Sequence, residues 1–280
     1  MTRAGLTTVA LVFALLLPSA AADATSARQY AESRSGIVSF AFIDSQGRLH
    51  GYQTNLRYRS ASLVKAMILV AYLRRVSWGA LPLHPSARSQ LRAMITRSDN
   101  LAANWAYDRI GEGPTLDALA RRAQMRSFSA ASYWAYSQTS ARDQVALFAR
   151  LERLVPPAYR AHALGLLRRI VSAQRWGIPR AASGWRLYFK GGWFESRHLW
   201  HQVALLERGE TRLVLAVLTD RNPSDAYGRA TIEGIARRLL FVRRFRPTAV
   251  RFRAWNWSSA DCISRPSPSI WPPPQAATVA

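Results

Sequence analysis

The chain has 280 residues, 49% of them hydrophobic and 20% charged, which excludes a disordered or fibrous protein and leaves length for a full core. Its 39 Lys+Arg against 16 Asp+Glu make a formal charge of +23, favouring polyanionic surroundings such as nucleic acid, anionic lipid or an acidic cell envelope. Only two of those cations, Lys65 and Lys190, are lysines; arginine keeps its proton in a protein whereas a buried lysine can lose it, so the two amines are where chemistry is sought first.

Met1-Thr2-Arg3, an apolar run over 6–17 and Pro18-Ser19-Ala20-Ala21-Ala22 read as a signal peptide over residues 1–22. The run is short for a bilayer span, so a secreted or extracytoplasmic location in the cell envelope is expected, with no stable membrane span. Residues 23–35 read as a polar linker. The stretches 36–44 and 49–53, on either side of Ser45-Gln46-Gly47, predict a β-hairpin. From Ser62 the apolar spacing Leu63, Met67, Ile68, Val70, Ala71, Leu73 predicts a helix buried on a broad face. Helical spacing continues over 86–96, 98–110, 114–124, 139–153 and 157–173. Strands return over 185–190, 199–206 and 213–219, and a last helix is expected over 229–242. The fold class is therefore α+β, a three-layer α/β/α arrangement whose antiparallel sheet comes from the two chain ends, with a helical subdomain inserted between them. One domain is expected over 36–246, followed by a Pro-rich disordered tail over 247–280 that holds the single cysteine, Cys262.

Lys65 follows Ser62 by three residues, so on a helix both occupy one face and the amine can reach the hydroxyl. A serine hydroxyl is a weak nucleophile until a base accepts its proton. Lowering a lysine from about 10.4 to about 7.5, so that it can be that base, takes roughly 4 kcal/mol, which burial and a second cation can supply. Ser98-Asp99-Asn100 opens another predicted helix. It reads either as an N-cap or as a proton-relay hydroxyl at Ser98 beside an Asn100 amide that holds a substrate carbonyl. Lys190-Gly191-Gly192 ends a predicted strand, where the glycines form a turn or let a substrate backbone lie flush on an edge strand.

Taken in order, Ser62-x-x-Lys65, Ser98-Asp99-Asn100 and Lys190-Gly191-Gly192 resemble the S-x-x-K, S-D-N and K-T-G motifs of class A β-lactamases and penicillin-binding proteins. The resemblance spans roughly residues 36 to 243, with 98–104 similar to the family's asparagine helix and 201–219 to its closing strands. It implies a β-lactamase-like serine hydrolase that forms an acyl-enzyme on Ser62 with β-lactam or D-alanyl-peptide-like amides. Lys65 would accept the serine proton, Ser98 would pass it to the leaving group and Asn100 would bind the substrate amide. Lys190, Gly191 and Gly192 would line the substrate, with Lys190 supplying positive charge for a carboxylate. The backbone N–H groups of Ser62 and Trp193 would form the oxyanion hole.

Two departures bear on the chemistry. Gly191 stands where the family usually has Thr or Ser, which removes a hydroxyl donor to a substrate carboxylate. The family's deacylating glutamate has no counterpart, since residues 121–138 contain no Asp or Glu; Glu112 and Glu195 lie elsewhere, and Gln124 or Gln138 could only orient a water. Slow or absent β-lactam turnover is expected. Tyr133-Trp134-Ala135-Tyr136, in the region of the missing loop, reads as a core cluster or as a wall of the site. His198-x-x-His201 has no recognisable third ligand, so neither a metal nor another cofactor is expected. No nucleic-acid module is recognisable, and the expected partners are a small-molecule or peptidoglycan-derived substrate, with electrostatic contact to acidic wall polymers, for a monomer. The alternatives are a catalytically impaired penicillin-binding or sensing module and a basic polyanion-binding protein.

Overall fold

A computed structural model describes residues 20–240; most of the expected signal peptide and the whole of the expected tail, with Cys262, lie outside them. The elements in chain order are α1 (Ala20–Glu32), β1 (Ile37–Ile43), β2 (Leu49–Tyr52), β3 (Tyr58–Arg59) and α2 (Lys65–Ser77). Next come α3 (Pro85–Arg92), α4 (Asn100–Arg109), α5 (Glu112–Arg122), β4 (Gln138–Thr139), α6 (Ala141–Ala149), α7 (Leu151–Leu154), α8 (Arg160–Arg168) and α9 (Ile178–Ala181). The chain closes with β5 (Arg186–Phe194), β6 (Leu199–Arg208), β7 (Thr211–Asp220) and α10 (Asp225–Leu240).

The sheet is antiparallel with strand order β2-β1-β7-β6-β5, so the N-terminal hairpin joins the C-terminal strands through β1 and β7. Successive side chains of a strand point to opposite faces, and here both faces are covered. Phe40, Phe42, Leu213, Leu215 and Val217 pack against Ile232, Ile235 and Leu239 of α10 and Ala27 and Ala31 of α1. Ala41, Ile43, Val203, Leu205, Val214 and Ala216 face the helical layer that contains α2. That helix is buried from Lys65 to Leu73, as a helix apolar on all sides must be. The three-layer α+β architecture expected from the sequence is the observed one.

Several boundaries differ from expectation. The expected linker over 23–35 is mostly helix: α1 packs on α10, and its small Ala27 and Ala31, four apart, carry the contact that composition conceals. The expected helix over 139–153 breaks at Arg150, and that over 157–173 ends as α8 at Arg168. Lys190-Gly191-Gly192 lies inside β5 rather than in a turn at its end, because β6 pairs with it through Phe194.

Asp143 ties the helical layer to the segment before β4. Its carboxylate is 1% exposed and accepts from Ser140 N in the capping box of α6, and also from Arg126 N at 2.7 Å and Ser127 N at 3.2 Å. Asp143→Ala strands the buried Ser140 N–H and releases the Arg126 and Ser127 N–H groups. We expect a loss of about 3 kcal/mol, or roughly 6–12 °C in Tm for a domain of this size, read by thermal unfolding followed by circular dichroism.

Candidate active site

Ser62 lies in a 3₁₀ turn, Ala61–Val64, that runs directly into α2, so Lys65 is the first residue of that helix. The preceding Ala61 has φ +45°, in the left-handed region that a β-carbon disfavours, and its surroundings hold it there. Ser60 N donates to Ser137 O at 2.7 Å, and Leu63 N donates to Ser60 O at 3.1 Å. Behind the turn is His201, fully buried, whose Nε2 donates to Arg59 O at 3.1 Å while its Nδ1 accepts from Thr219 N at 3.2 Å. Burial pushes this ring's pKa down to about 4, so it is neutral. His198, by contrast, is in the exposed turn before β6 and is paired with Asp225. The two histidines thus serve different partners, and no group of three metal-ligating side chains occurs among the described residues.

Ser98 precedes α4 in a left-handed conformation with φ +60°. The N-cap of that helix is Asp99, whose Oδ1 accepts from Ala102 N at 2.8 Å. Capping therefore falls to the aspartate, and Ser98 is left for the lysines.

Both amines converge on Ser98. Lys65 Nζ donates to Ser98 O at 2.5 Å, to Ser98 Oγ at 3.3 Å and to Asn100 Oδ1 at 2.7 Å. Lys190 Nζ reaches the same Ser98 Oγ at 3.0 Å and donates to Gly191 O at 2.7 Å. Both lysines are 0% exposed. Burial brings Lys65 down to about 7, against the opposing pull of Asp99. Burial, and then the charge of Lys65, hold Lys190 well below the usual range of an amine. The spacing of Ser62 and Lys65 suggested a direct contact; the Lys65 hydrogen bonds instead go to α4 and the turn before it. An ammonium has three protons, and three acceptors take them here. Once neutral, the amine has a free lone pair with which to take a proton.

The two glycines of β5 stand in different surroundings. A β-carbon on Gly192 would lie 2.8 Å from Ser62 N and 2.9 Å from Leu63 N, so the strand is pressed against the serine turn. A β-carbon on Gly191 would lie 3.3 Å from the Trp176 ring, so indole abuts the place where the family has a hydroxyl side chain. Trp176 belongs to a set of three: Trp193 stacks on Trp200 with centroids 5.7 Å apart, and Trp176 stands edge-on to Trp200 at 4.9 Å. Strand β5 is at the sheet edge, so one side of its backbone, with Trp193 next to Gly192, has no ladder partner within the sheet.

The tetrapeptide over 133–136 divides between its two expected roles. Trp134 is 2% exposed, with its ring 4.7 Å from Lys65 Nζ and its Nε1 donating to Asn104 Oδ1 at 2.8 Å. Tyr133 and Tyr136 are exposed. An indole face beside Lys65 favours its protonated form only weakly, unlike a carboxylate. Gln124 is engaged by Arg150, and Gln138 donates to Tyr136 O at 3.2 Å. The spacing that located Ser62, Lys65, Ser98, Asn100 and Lys190 held no signal for His201, Trp176 or Asn104, whose contacts come from distant elements.

Fold and serine–lysine cluster together define the class, a serine hydrolase of the acyl-transfer type. More particularly, the chain belongs to the Beta-lactamase enzyme family, whose sequence profile matches residues 81–241, more than half of the chain. The fold is similar to that of PBP-A, with TM-score 0.70 at 19% identity, covering 78% of this chain and 94% of that one. It is similar also to a β-lactamase from Sphaerobacter thermophilus, with TM-score 0.69 at 20% identity over 78% of this chain and 95% of that one. A β-lactamase from Xanthomonas campestris pv. campestris matches with TM-score 0.70 at 18% identity over 79% and 97%. A search of curated proteins found no match.

Proposed function

We propose that this serine hydrolase acylates Ser62 with β-lactam or D-alanyl-peptide-like amides or with esters, and releases a β-lactam-derived acyl group slowly. The observation that carries the proposal is the convergence of two buried amines on the Ser98 hydroxyl beside the Ser62 turn. Neutral Lys65 takes the proton of Ser62 Oγ as that oxygen adds to the carbonyl carbon. The oxyanion forms against the backbone N–H groups of Ser62 and Trp193, in a setting where such donors contribute several kcal/mol. The proton then passes from Lys65 through Ser98 Oγ to the leaving nitrogen or oxygen, the bond to the leaving group breaks, and an ester on Ser62 remains. Asn100 holds the substrate amide, and Lys190 shares the Ser98 Oγ with Lys65, its own amine held low by burial and by the charge of Lys65.

Breaking the ester needs a base for water. The indole of Trp134 lies beside Lys65, and residues 121–138 supply no carboxylate. One PBP-A variant is known as an acyl-enzyme complex with penicillin G, which makes penicillins suitable probes. The test is labelling by a fluorescent penicillin, with intact-mass detection, of wild type beside Ser62→Ala. We expect a stable adduct on the wild type alone and, with nitrocefin, a burst followed by slow turnover. No adduct on the wild type, an adduct on both proteins, or steady nitrocefin turnover at tens per second on the usual enzyme scale contradicts the proposal.

The acylation rate should depend on pH through Lys65. Its pKa is brought to about 7, and only the neutral amine accepts the serine proton. The rate therefore rises roughly tenfold between pH 6 and pH 8 and levels off above, measured as the first-order rate of penicillin attachment. A rate that falls over that window excludes Lys65 as the base.

A further inference from the structure

Helix α2 carries Lys65 at one end and closes at Ser77, so its two ends are roughly 20 Å apart at the rise of an α-helix. At the far end, between α2 and α5, is a cleft of about 220 Å³, counted with its open mouth. Ala71, Thr115 and Leu119 line it and are buried, so they form the floor. Arg74, Trp78 and Arg122 complete the lining, and the Trp78 side chain is 47% exposed there.

The Arg74 guanidinium is fixed in place: it lies 5.1 Å from the centroid of the Trp78 ring, and its Nη1 donates to Leu154 O at 3.0 Å. Burial and then the charge of Arg122 lower its pKa, so two guanidinium groups act on each other across one cleft. Neither arginine forms an ion pair among the described residues.

Both helices end here, with Arg74 in the last turn of α2 and Arg122 in the last turn of α5. A helix C-terminus favours a cation by about 0.3–1 kcal/mol, which accounts for one arginine on each helix. It does not account for their convergence over an apolar floor beside an indole, where each charge raises the cost of the other. An anion seated between them removes that cost. The planar fork of a guanidinium matches a carboxylate, and the floor and the indole suit a flat apolar ring joined to it.

We propose that this cleft is a second ligand site, remote from Ser62, for a small aromatic carboxylate whose ring packs against Trp78 and Leu119 and whose charge lies between Arg74 and Arg122. It does not depend on the acyl-transfer reading of Ser62.

The test follows the Trp78 indole N–H by NMR of the isotope-labelled chain at physiological ionic strength, its signal identified by loss in Trp78→Phe. A saturable shift is expected on adding 2-naphthoate. The uncharged 2-naphthalenemethanol and the ringless acetate should each bind at least about tenfold more weakly. Arg122→Gln should weaken naphthoate by at least about tenfold. Arg121→Gln, exposed beside it but outside the lining, should change the affinity by less than about twofold, since charges at a distance are screened. No shift at Trp78, a response to either control compound equal to that of naphthoate, or equal losses from the two arginine substitutions overturns the site. The last of these would assign binding to the overall charge of the chain. Thermal unfolding shows whether each variant is folded, and the three compounds on the wild type decide alone if one is not.

Discussion

Lys65→Arg lowers the rate of Ser62 acylation by about 10³-fold, within the usual contribution of a general base. The cause is chemical more than steric. At position 65 the wild-type side chain is fully buried and its pKa is brought to about 7, so near neutral pH a large fraction is free base. A guanidinium in the same place keeps its proton at every accessible pH. The arginine variant should therefore lack the rise between pH 6 and pH 8 as well as the rate itself. Lys65→Met separates charge from basicity: it removes the base without burying a permanent cation, and it should be as slow as the arginine variant. The measurement is the first-order rate of penicillin attachment across pH, with thermal unfolding to show that each variant is folded. Attachment within tenfold of wild type and with the same inflection would assign the base elsewhere.

Gly192→Ala has the second large effect, 10²- to 10³-fold on acylation, comparable to removing an oxyanion donor. The added carbon would meet Ser62 N at 2.8 Å and Leu63 N at 2.9 Å, both backbone atoms that cannot rotate aside. Either β5 or the serine turn must move, and the N–H groups proposed to hold the oxyanion part from each other. Gly191→Ala is the control in the same strand. Its carbon meets only the edge of the Trp176 ring at 3.3 Å, so a fall of less than about fivefold is expected, in line with mild overpacking. Equal effects of the two substitutions on penicillin attachment would mean that strand stability, and not the approach to Ser62, is being read.

The sheet and most helices were legible because their signals are local. The near-continuous apolar runs of β1, β7 and α2 record burial that each element undergoes whatever its partner. Helix α1 was not legible: alanines four apart among polar residues pack on α10 only because that helix comes back from the far end of the chain. The extent of β5 was hidden for a similar reason. Gly191-Gly192 carries no strand propensity, and its pairing with Gln202 and His201 is imposed by β6.

For the candidate site, residue identity and spacing were enough to single out Ser62, Lys65, Ser98, Asn100 and Lys190. They also disclosed the lack of a carboxylate over 121–138. These are properties of the covalent chain: which groups exist, and how far apart they are along it. The partners that each group meets depend on tertiary contacts. Asp99 takes the cap and frees Ser98; two amines 125 positions apart meet at one hydroxyl; Trp134 comes to rest beside Lys65. A lysine acts as a base because of its desolvation and its neighbours, and both depend on elements packed around it that no local pattern encodes.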